Sequence, residues 1–243
     1  MTAETWRLIP IYNGTGTEQM AIDSWLLSQH AMGLQPPCLR FYTWETPTIS
    51  LGYHQRQFPD HWKTLQWKDR PVDLVRRPTG GRAVLHQGDL TYALVTSGLT
   101  GSRRAVYQQL CQFLIQGWQH LGITLSFGVA GRGYIQNPNC FGTATAADLV
   151  MKNGYKLIGS AQVYRDGCVL QHGSMRLQPD SELFEKVFGE KVSQPTLPEN
   201  VRSEDGMQVI VEALSWATED CFGVEFEGRS LSPTELEAAL KAF

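Results

Sequence analysis

The chain has 243 residues, 42% of them hydrophobic and 19% charged, with 21 basic against 24 acidic side chains and a formal net charge of −3. Charge below the usual share of about 25% argues against disorder, and the length suits one large α/β core. The near balance of charge gives no general attraction to nucleic acid or to an anionic membrane, and no run approaches the ~18 apolar residues of a membrane span. The start, Met1-Thr2-Ala3-Glu4-Thr5-Trp6, lacks a basic stretch followed by an apolar one, so a cytoplasmic location is expected.

Taken in chain order, residues 17–32 read as a helix. Thr17 is its candidate N-cap, and Met20, Leu27 and Ala31 share one face with Ser24 between them. Pro36-Pro37 ends that segment, and 38–43, 48–53 and 73–76 follow as short strands. A β-rich run covers 90–96. Residues 104–121 form a single amphipathic helix in this reading, stopped by Gly122. A meander then runs 148–151, 155–165 and 168–174, turning at Asn153-Gly154 and Asp166-Gly167. The remainder, from about 179, reads as helical: 181–188, 204–221 and 233–242, the last with Ser232 as N-cap and Pro233 at the first position. No linker forces a boundary, so residues 1–243 are expected to form a single catalytic domain without a separate accessory domain.

Three segments could carry chemistry. Arg76-Arg77-Pro78-Thr79-Gly80-Gly81-Arg82-Ala83-Val84-Leu85-His86 joins a strand end to a glycine turn. Paired glycines let backbone N–H groups approach a ligand, and the arginines suit a phosphate or a carboxylate. An ordinary turn with solvated arginines fits the same residues, and no Lys-Ser/Thr follows the glycines to make a P-loop. In Tyr155-Lys156-Leu157-Ile158-Gly159-Ser160-Ala161-Gln162, a lysine beside a turn is usually solvated, whereas the small trio Gly159-Ser160-Ala161 inside a strand suggests a close approach by a ligand. His172, beside Gly173 in a strand, fits a satisfied core histidine better than a catalytic one. The cysteines, Cys38, Cys111, Cys140, Cys168 and Cys221, are odd in number and show no CxxC spacing, which argues against a disulfide framework or a zinc site. Cys140 alone sits in a polar, glycine-containing loop, Pro138-Asn139-Cys140-Phe141-Gly142, where reactive groups concentrate. The other four have the settings of small buried hydrophobes.

Together, in this order, these segments resemble the biotin/lipoate protein ligase superfamily, in its lipoate-protein ligase A-like branch, from about Asn13 to Gln178. Leu39-Arg40-Phe41-Tyr42-Thr43-Trp44 with Pro47 to Tyr53 looks like the family's early strand pair, 76–86 like its acyl-binding loop, and 156–162 like the strand of its catalytic lysine. Asn139-Cys140-Phe141 is similar to the LipM-type octanoyltransferases, although Gly142-Thr143-Ala144-Thr145 stands where those enzymes often have Asp-x-x-Ser. The resemblance implies an α/β (α+β) fold of the class II aminoacyl-tRNA/biotin synthetase type, with mixed, largely antiparallel sheets flanked by helices. It implies an acyltransferase that moves an octanoyl group from octanoyl-acyl carrier protein to a lysine of a glycine-cleavage H protein or a 2-oxoacid dehydrogenase lipoyl domain. Cys140 would be the nucleophile and Lys156 its partner. Arg76, Arg77, Gly80, Gly81, Arg82, His86, Gly159, Ser160, Ala161 and His172 would bind substrate. No cofactor is expected; ATP and Mg enter only if the chain is instead an ATP-dependent lipoate ligase.

Overall fold

The computed structural model describes residues 3–128 and 148–243. Strand β1 (Glu4–Gly14) leads into helix α1 (Gly16–Ala31), β2 (Cys38–Trp44) and β3 (Thr48–Leu51). A 3₁₀ turn at Asp60–Thr64 and two short strands, β4 (Gln66–Trp67) and β5 (Arg70–Pro71), precede β6 (Asp73–Arg76), β7 (Val84–His86) and β8 (Asp89–Ser97). Next come α2 (Arg103–Leu110), α3 (Gln112–His120) and β9 (Leu125–Phe127), then β10 (Asp148–Met151), β11 (Lys156–Arg165) and β12 (Cys168–Arg176). The rest is α4 (Ser181–Phe188), α5 (Glu199–Arg202), α6 (Gly206–Phe222), β13 (Val224–Gly228) and α7 (Pro233–Ala242).

Eight strands form one sheet in the order β13-β1-β2-β8-β12-β11-β10-β9, while β6-β3-β7 form a second, smaller one. The pairings of β1 with β13 and with β2 are parallel; the other pairings in the large sheet are antiparallel. This is the mixed, largely antiparallel α/β architecture the sequence led us to expect. Phe41, Tyr92 and Ile158 on one face pack with Phe113, Trp118 and Leu214 of α3 and α6. On the other, Tyr42, Ala93 and Leu170 pack with Met20, Ile22 and Leu26 of α1 and with Ala239 of α7. Because both faces of β8 and β12 are covered, these strands are buried almost end to end, which explains the apolar run at 90–96.

Several boundaries differ from the sequence reading. Thr15, not Thr17, caps α1: it is extended, and it forms a capping box with Glu18. The helix expected at 104–121 is divided at Cys111, whose N–H is shared between the carbonyls of Tyr107 (3.1 Å) and Gln108 (3.3 Å). The segment after 179 is not wholly helical, since β13 adds to the sheet beside β1. β1 itself carries Pro10 inside a register shift between Ile9 and Tyr12, a residue that on sequence alone speaks against a strand.

Arg7 ties this parallel edge to α7. Its buried guanidinium donates to both carboxylate oxygens of Glu235 (2.7 and 3.0 Å) and to the carbonyls of Arg229 and Ser230. Burial pushes the Glu235 carboxyl up, but the Arg7 contacts and the Ser232 N–H outweigh it and bring it down to about 2. A folded-state pKa below the unfolded value contributes stability above the unfolded pKa and loses it as pH falls through the folded one. Urea unfolding between pH 5 and 2 should therefore show wild type losing more stability than Glu235→Gln. Parallel curves for the two proteins would rule the coupling out.

Candidate active site

One cavity lies between the large sheet, the small sheet and α1, and most of the expected site residues meet in its wall. Arg77, Gly80, Gly81, His86, Lys156, Gly159, Ser160, Ala161 and His172 line it; Arg76 and Arg82 do not. Met20, Tyr42, Trp44 and Val84 make much of the remaining wall apolar.

Lys156 is buried, against the expectation for a lysine beside a turn. Its Nζ lies 2.8 Å from Oδ1 of Asp148, and both side chains are about 95% shielded from solvent, at 4% and 5% exposure. The pairing of β10 with β11 explains how it arrives there. Asp148 is opposite Gly159 and Leu149 opposite Ile158, but Val150 is opposite Lys156, so Leu157 is an extra residue. Strict alternation from Gly159 would turn Lys156 to the far face; the bulge returns it to the face of Asp148. Asp148 is a site residue that sequence reasoning missed. The hairpin at Asn153-Gly154 was the available signal, but the bulge hides the register it would have given.

The glycine loop is fixed by its own arginines rather than left to solvent. Arg77 donates to the carbonyls of Ser50 (2.9 Å), Gly80 (2.8 Å) and Arg82 (2.7 Å). Arg76 donates to Gly52 O (2.7 Å) and Gln55 O (2.8 Å), outside the cavity. Gly81 has φ +96°, and a Cβ on Gly52 would sit 1.9 Å from Gly81 O, so the end of β3 and the loop touch backbone to backbone. Within the cavity wall, a Cβ on Gly173 would come 2.4 Å from Ser160 Oγ. The small residues at 159–161 and 173 thus accommodate close packing between β11 and β12.

Two buried polar networks hold the walls. His172 Nδ1 donates to Asp23 Oδ2 (2.7 Å), and its Nε2 hydrogen-bonds Thr79 Oγ1 (2.6 Å). Asp23 also accepts from Arg40 (2.9 Å) and from the Tyr42 hydroxyl (2.9 Å). His172 is therefore a satisfied histidine that anchors the loop at Thr79. His86 Nδ1 donates to Asp89 Oδ2 (2.8 Å), its Nε2 pairs with Ser50 Oγ (2.8 Å), and its ring stacks on Trp44 at 3.9 Å. Burial lowers its pKa despite the Asp89 carboxylate, so near neutral pH it is an uncharged wall residue.

Cys140 lies outside the described residues. Gly128 and Asp148, the described residues that flank that segment, are joined by the Gly128 N–H donating to the Asp148 backbone carbonyl (2.8 Å). The four described cysteines are Cys38, Cys111, Cys168 and Cys221. Burial pushes the thiols of Cys38 and Cys111 up to about 12 and raises those of Cys168 and Cys221. A raised thiol pKa withholds the thiolate that acyl chemistry needs, and none of the four lines the cavity. Among the described residues, no cluster could hold a metal ion and no helix is long and apolar enough to cross a membrane.

A sheet-borne lysine, a glycine loop and an apolar cavity in this order agree with a match of the lipoyl protein ligase A/B catalytic domain to residues 15–220. The chain belongs to that family, and it is an acyltransferase. Among its relatives, the octanoyltransferase LipM of Kyrpidia tusciae is 38% identical over 190 residues, covering 74% of this chain and 68% of that protein. The octanoyltransferase LipM of Moorella thermoacetica is 37% identical, covering 87% and 80%. That of Symbiobacterium thermophilum is 34% identical, covering 95% and 89%. A T. acidophilum protein with bound lipoic acid shares the fold at a TM-score of 0.78 and 20% identity, covering all of this chain and 94% of that one. Lipoate-protein ligase A bound with ATP does so at 0.75 and 20%, with the same coverage.

Proposed function

We propose that the protein transfers an octanoyl group from octanoyl-acyl carrier protein to a lysine of a lipoyl-carrier protein, an H protein or a 2-oxoacid dehydrogenase lipoyl domain, through a thioester on Cys140. The observation that carries this reading is the buried Lys156–Asp148 pair at 2.8 Å in the wall of an apolar cavity. It is supported by relatives named octanoyltransferase across most of the chain. Burying about seven CH₂ or CH₃ groups of an octanoyl tail at roughly 0.8 kcal/mol each gives a favourable term of up to about 5 kcal/mol. Asp148 is eight positions after Cys140, so the chain tethers Cys140 within roughly 28 Å of Asp148 even at full extension.

In the first step Cys140 sulfur attacks the donor thioester carbonyl. Lys156 stabilises the thiolate as a cation or relays its proton, and that proton leaves on the donor thiol as the donor C–S bond breaks. In the second step the acceptor lysine amine attacks the acyl-enzyme; an amide C–N bond forms, the acyl C–S bond breaks, and the amine proton returns to Cys140. Exchange between thioesters is nearly isoenergetic and thioester to amide is downhill, so neither step needs ATP or another cofactor. Backbone N–H groups of the Gly80-Gly81 turn serve the tetrahedral oxyanion in this scheme. Residues 1–243 act as one catalytic unit in this reading, in keeping with β13 completing the large sheet.

Intact-mass measurement after mixing with octanoyl-acyl carrier protein should show one octanoyl adduct, absent from Cys140→Ala. Transfer from free lipoate that requires Mg-ATP and survives Cys140→Ser would instead establish the ligase reaction. The commitment of Arg76 and Arg77 to backbone carbonyls favours transfer over adenylate binding by those two residues.

A further inference from the structure

The cavity wall holds a second nucleophile that the cysteine mechanism does not use. Ser50, His86 and Asp89 stand in a hydrogen-bonded series. Ser50 Oγ lies 2.8 Å from His86 Nε2, and His86 Nδ1 lies 2.8 Å from Asp89 Oδ2. We propose that Ser50 is a second acyl acceptor, with His86 as its base and Asp89 as the orienting carboxylate, and that water then releases the acyl group. The further activity is hydrolysis of acyl esters and thioesters. It rests on the reading that the cavity takes an acyl chain, and it does not require Cys140.

The fold brings these separated residues together. In the small sheet Ser50 is opposite Val84, and Thr48 is opposite His86. Strand alternation puts Ser50, Val84 and His86 on one face, and all three line the cavity, while Ile49, Leu51 and Leu85 belong to a separate apolar cluster. His86 ends β7 and Asp89 starts β8, so the turn at Gln87-Gly88 carries the chain from the small sheet to the large one and sets the imidazole against the carboxylate. That turn is held closely: Gly88 has φ +64°, and a Cβ there would lie 1.9 Å from Gln178 O.

The partners fix where the protons sit. Asp89 Oδ2 also accepts from the hydroxyls of Thr91 (3.2 Å) and Ser174 (2.6 Å). A carboxylate on Nδ1 places the proton of neutral His86 there, so Nε2 accepts from the Ser50 hydroxyl. Arg77 Nη1 donates to Ser50 Oγ (3.3 Å), which favours negative charge on that oxygen. Among the described residues, the ion-pair partner of Asp89 is His86 alone. A buried carboxylate so placed stabilises the imidazolium that forms when His86 takes the serine proton.

In the first step Ser50 Oγ attacks the acyl carbonyl, and its proton passes to His86 Nε2. The bond to the leaving alcohol or thiol breaks, and that group takes the proton from His86. Water then attacks the acyl-serine ester and gives a proton to the same base. The ester C–O bond breaks, the carboxylic acid leaves, and Ser50 regains its proton from His86.

The test treats the wild-type protein with an alkyl fluorophosphonate, which phosphonylates activated serine hydroxyls, and locates the adduct by peptide mapping. The expected adduct is on Ser50, and it should be absent from Ser50→Ala and from His86→Gln. In parallel, hydrolysis of p-nitrophenyl octanoate is followed in Cys140→Ala, so that no acyl-cysteine contributes. Adding Ser50→Ala to that protein should slow hydrolysis by about 10²- to 10⁴-fold, with thermal unfolding to verify that each variant is folded. Wild type that gains no adduct on Ser50 overturns the proposal, as does hydrolysis that survives Ser50→Ala. An adduct on Ser50 without turnover of the ester overturns the hydrolytic activity. Because the hydrolysis assay contains no Cys140, its result is separate from the success or failure of acyl transfer through that residue.

Discussion

Lys156→Met is expected to slow acyl-enzyme formation by about 10²- to 10⁴-fold, the usual contribution of a positioned acid–base group. It should also weaken the fold by about 3–5 kcal/mol, because it breaks a buried ion pair from one side and takes from the Asp148 carboxylate the ammonium 2.8 Å away. The two effects separate in Asp148→Leu/Lys156→Met. Replacing a whole buried pair by apolar side chains is often neutral, so the double variant should regain most of the unfolding free energy and none of the rate. Rapid-quench mass measurement and urea unfolding read the two quantities on the same preparations. A double variant that recovers activity would show that the pair only supports the fold, and a single variant with unchanged stability would mean that Asp148 finds other compensation.

The second large effect is expected from Gly52→Ala, a change of one methyl group at a residue that touches no reacting atom. The new Cβ would lie 1.9 Å from Gly81 O, a backbone atom of a loop already held at Thr79 and by Arg77. Neither side can yield cheaply, so we expect a loss of about 3 kcal/mol, at the upper end for overpacking. The loop that lines the cavity would be displaced with it, and the rate of acyl-enzyme formation should fall alongside. Gly80→Ala is the matched control, since a Cβ there meets nothing within 4 Å. Thermal unfolding should leave Gly80→Ala near wild type. Equal destabilisation of both variants would mean that the contact between Gly52 and Gly81 is not the cause.

The parts of this structure that were legible in the sequence are those governed by local chemistry. Asn153-Gly154 announced its hairpin, Ser232-Pro233 announced the start of α7, and the turns at Asn153-Gly154 and Asp166-Gly167 together announced a meander. The parts that were not depend on partners far along the chain. β1 contains a proline, and its identity as a strand comes from parallel neighbours at residues 38–44 and 224–228. The site shows the same division. Gly80 and Gly81 could be singled out by residue type and Lys156 only through the family resemblance, whereas Asp148 acquires its role only through the bulge at Leu157. Arg76 and Arg77 looked alike in sequence; one faces the cavity and one does not, because the carbonyls they satisfy lie on different sides of the loop. His172 read better as a satisfied core histidine, which its bonds to Asp23 and Thr79 bear out, but the groups that satisfy it and His86 belong to their surroundings rather than to a motif.

The parallel pairing of β1 with β13 also sets an order of events during synthesis. β1 leaves the ribosome well before the neighbour that covers its outer edge, which lies more than two hundred residues further along the chain. Until Val224–Gly228 emerges, one side of β1 remains an unsatisfied row of backbone groups, exposed to any other extended chain nearby. Among the described strand pairings this closing one has the longest sequence separation, and its loop must be ordered before the contact can repay the cost. Arg7 waits for the same moment, since its carboxylate partner Glu235 follows β13. A nascent chain that already holds every residue lining the cavity still lacks the strand and the ion pair that seal the edge of β1.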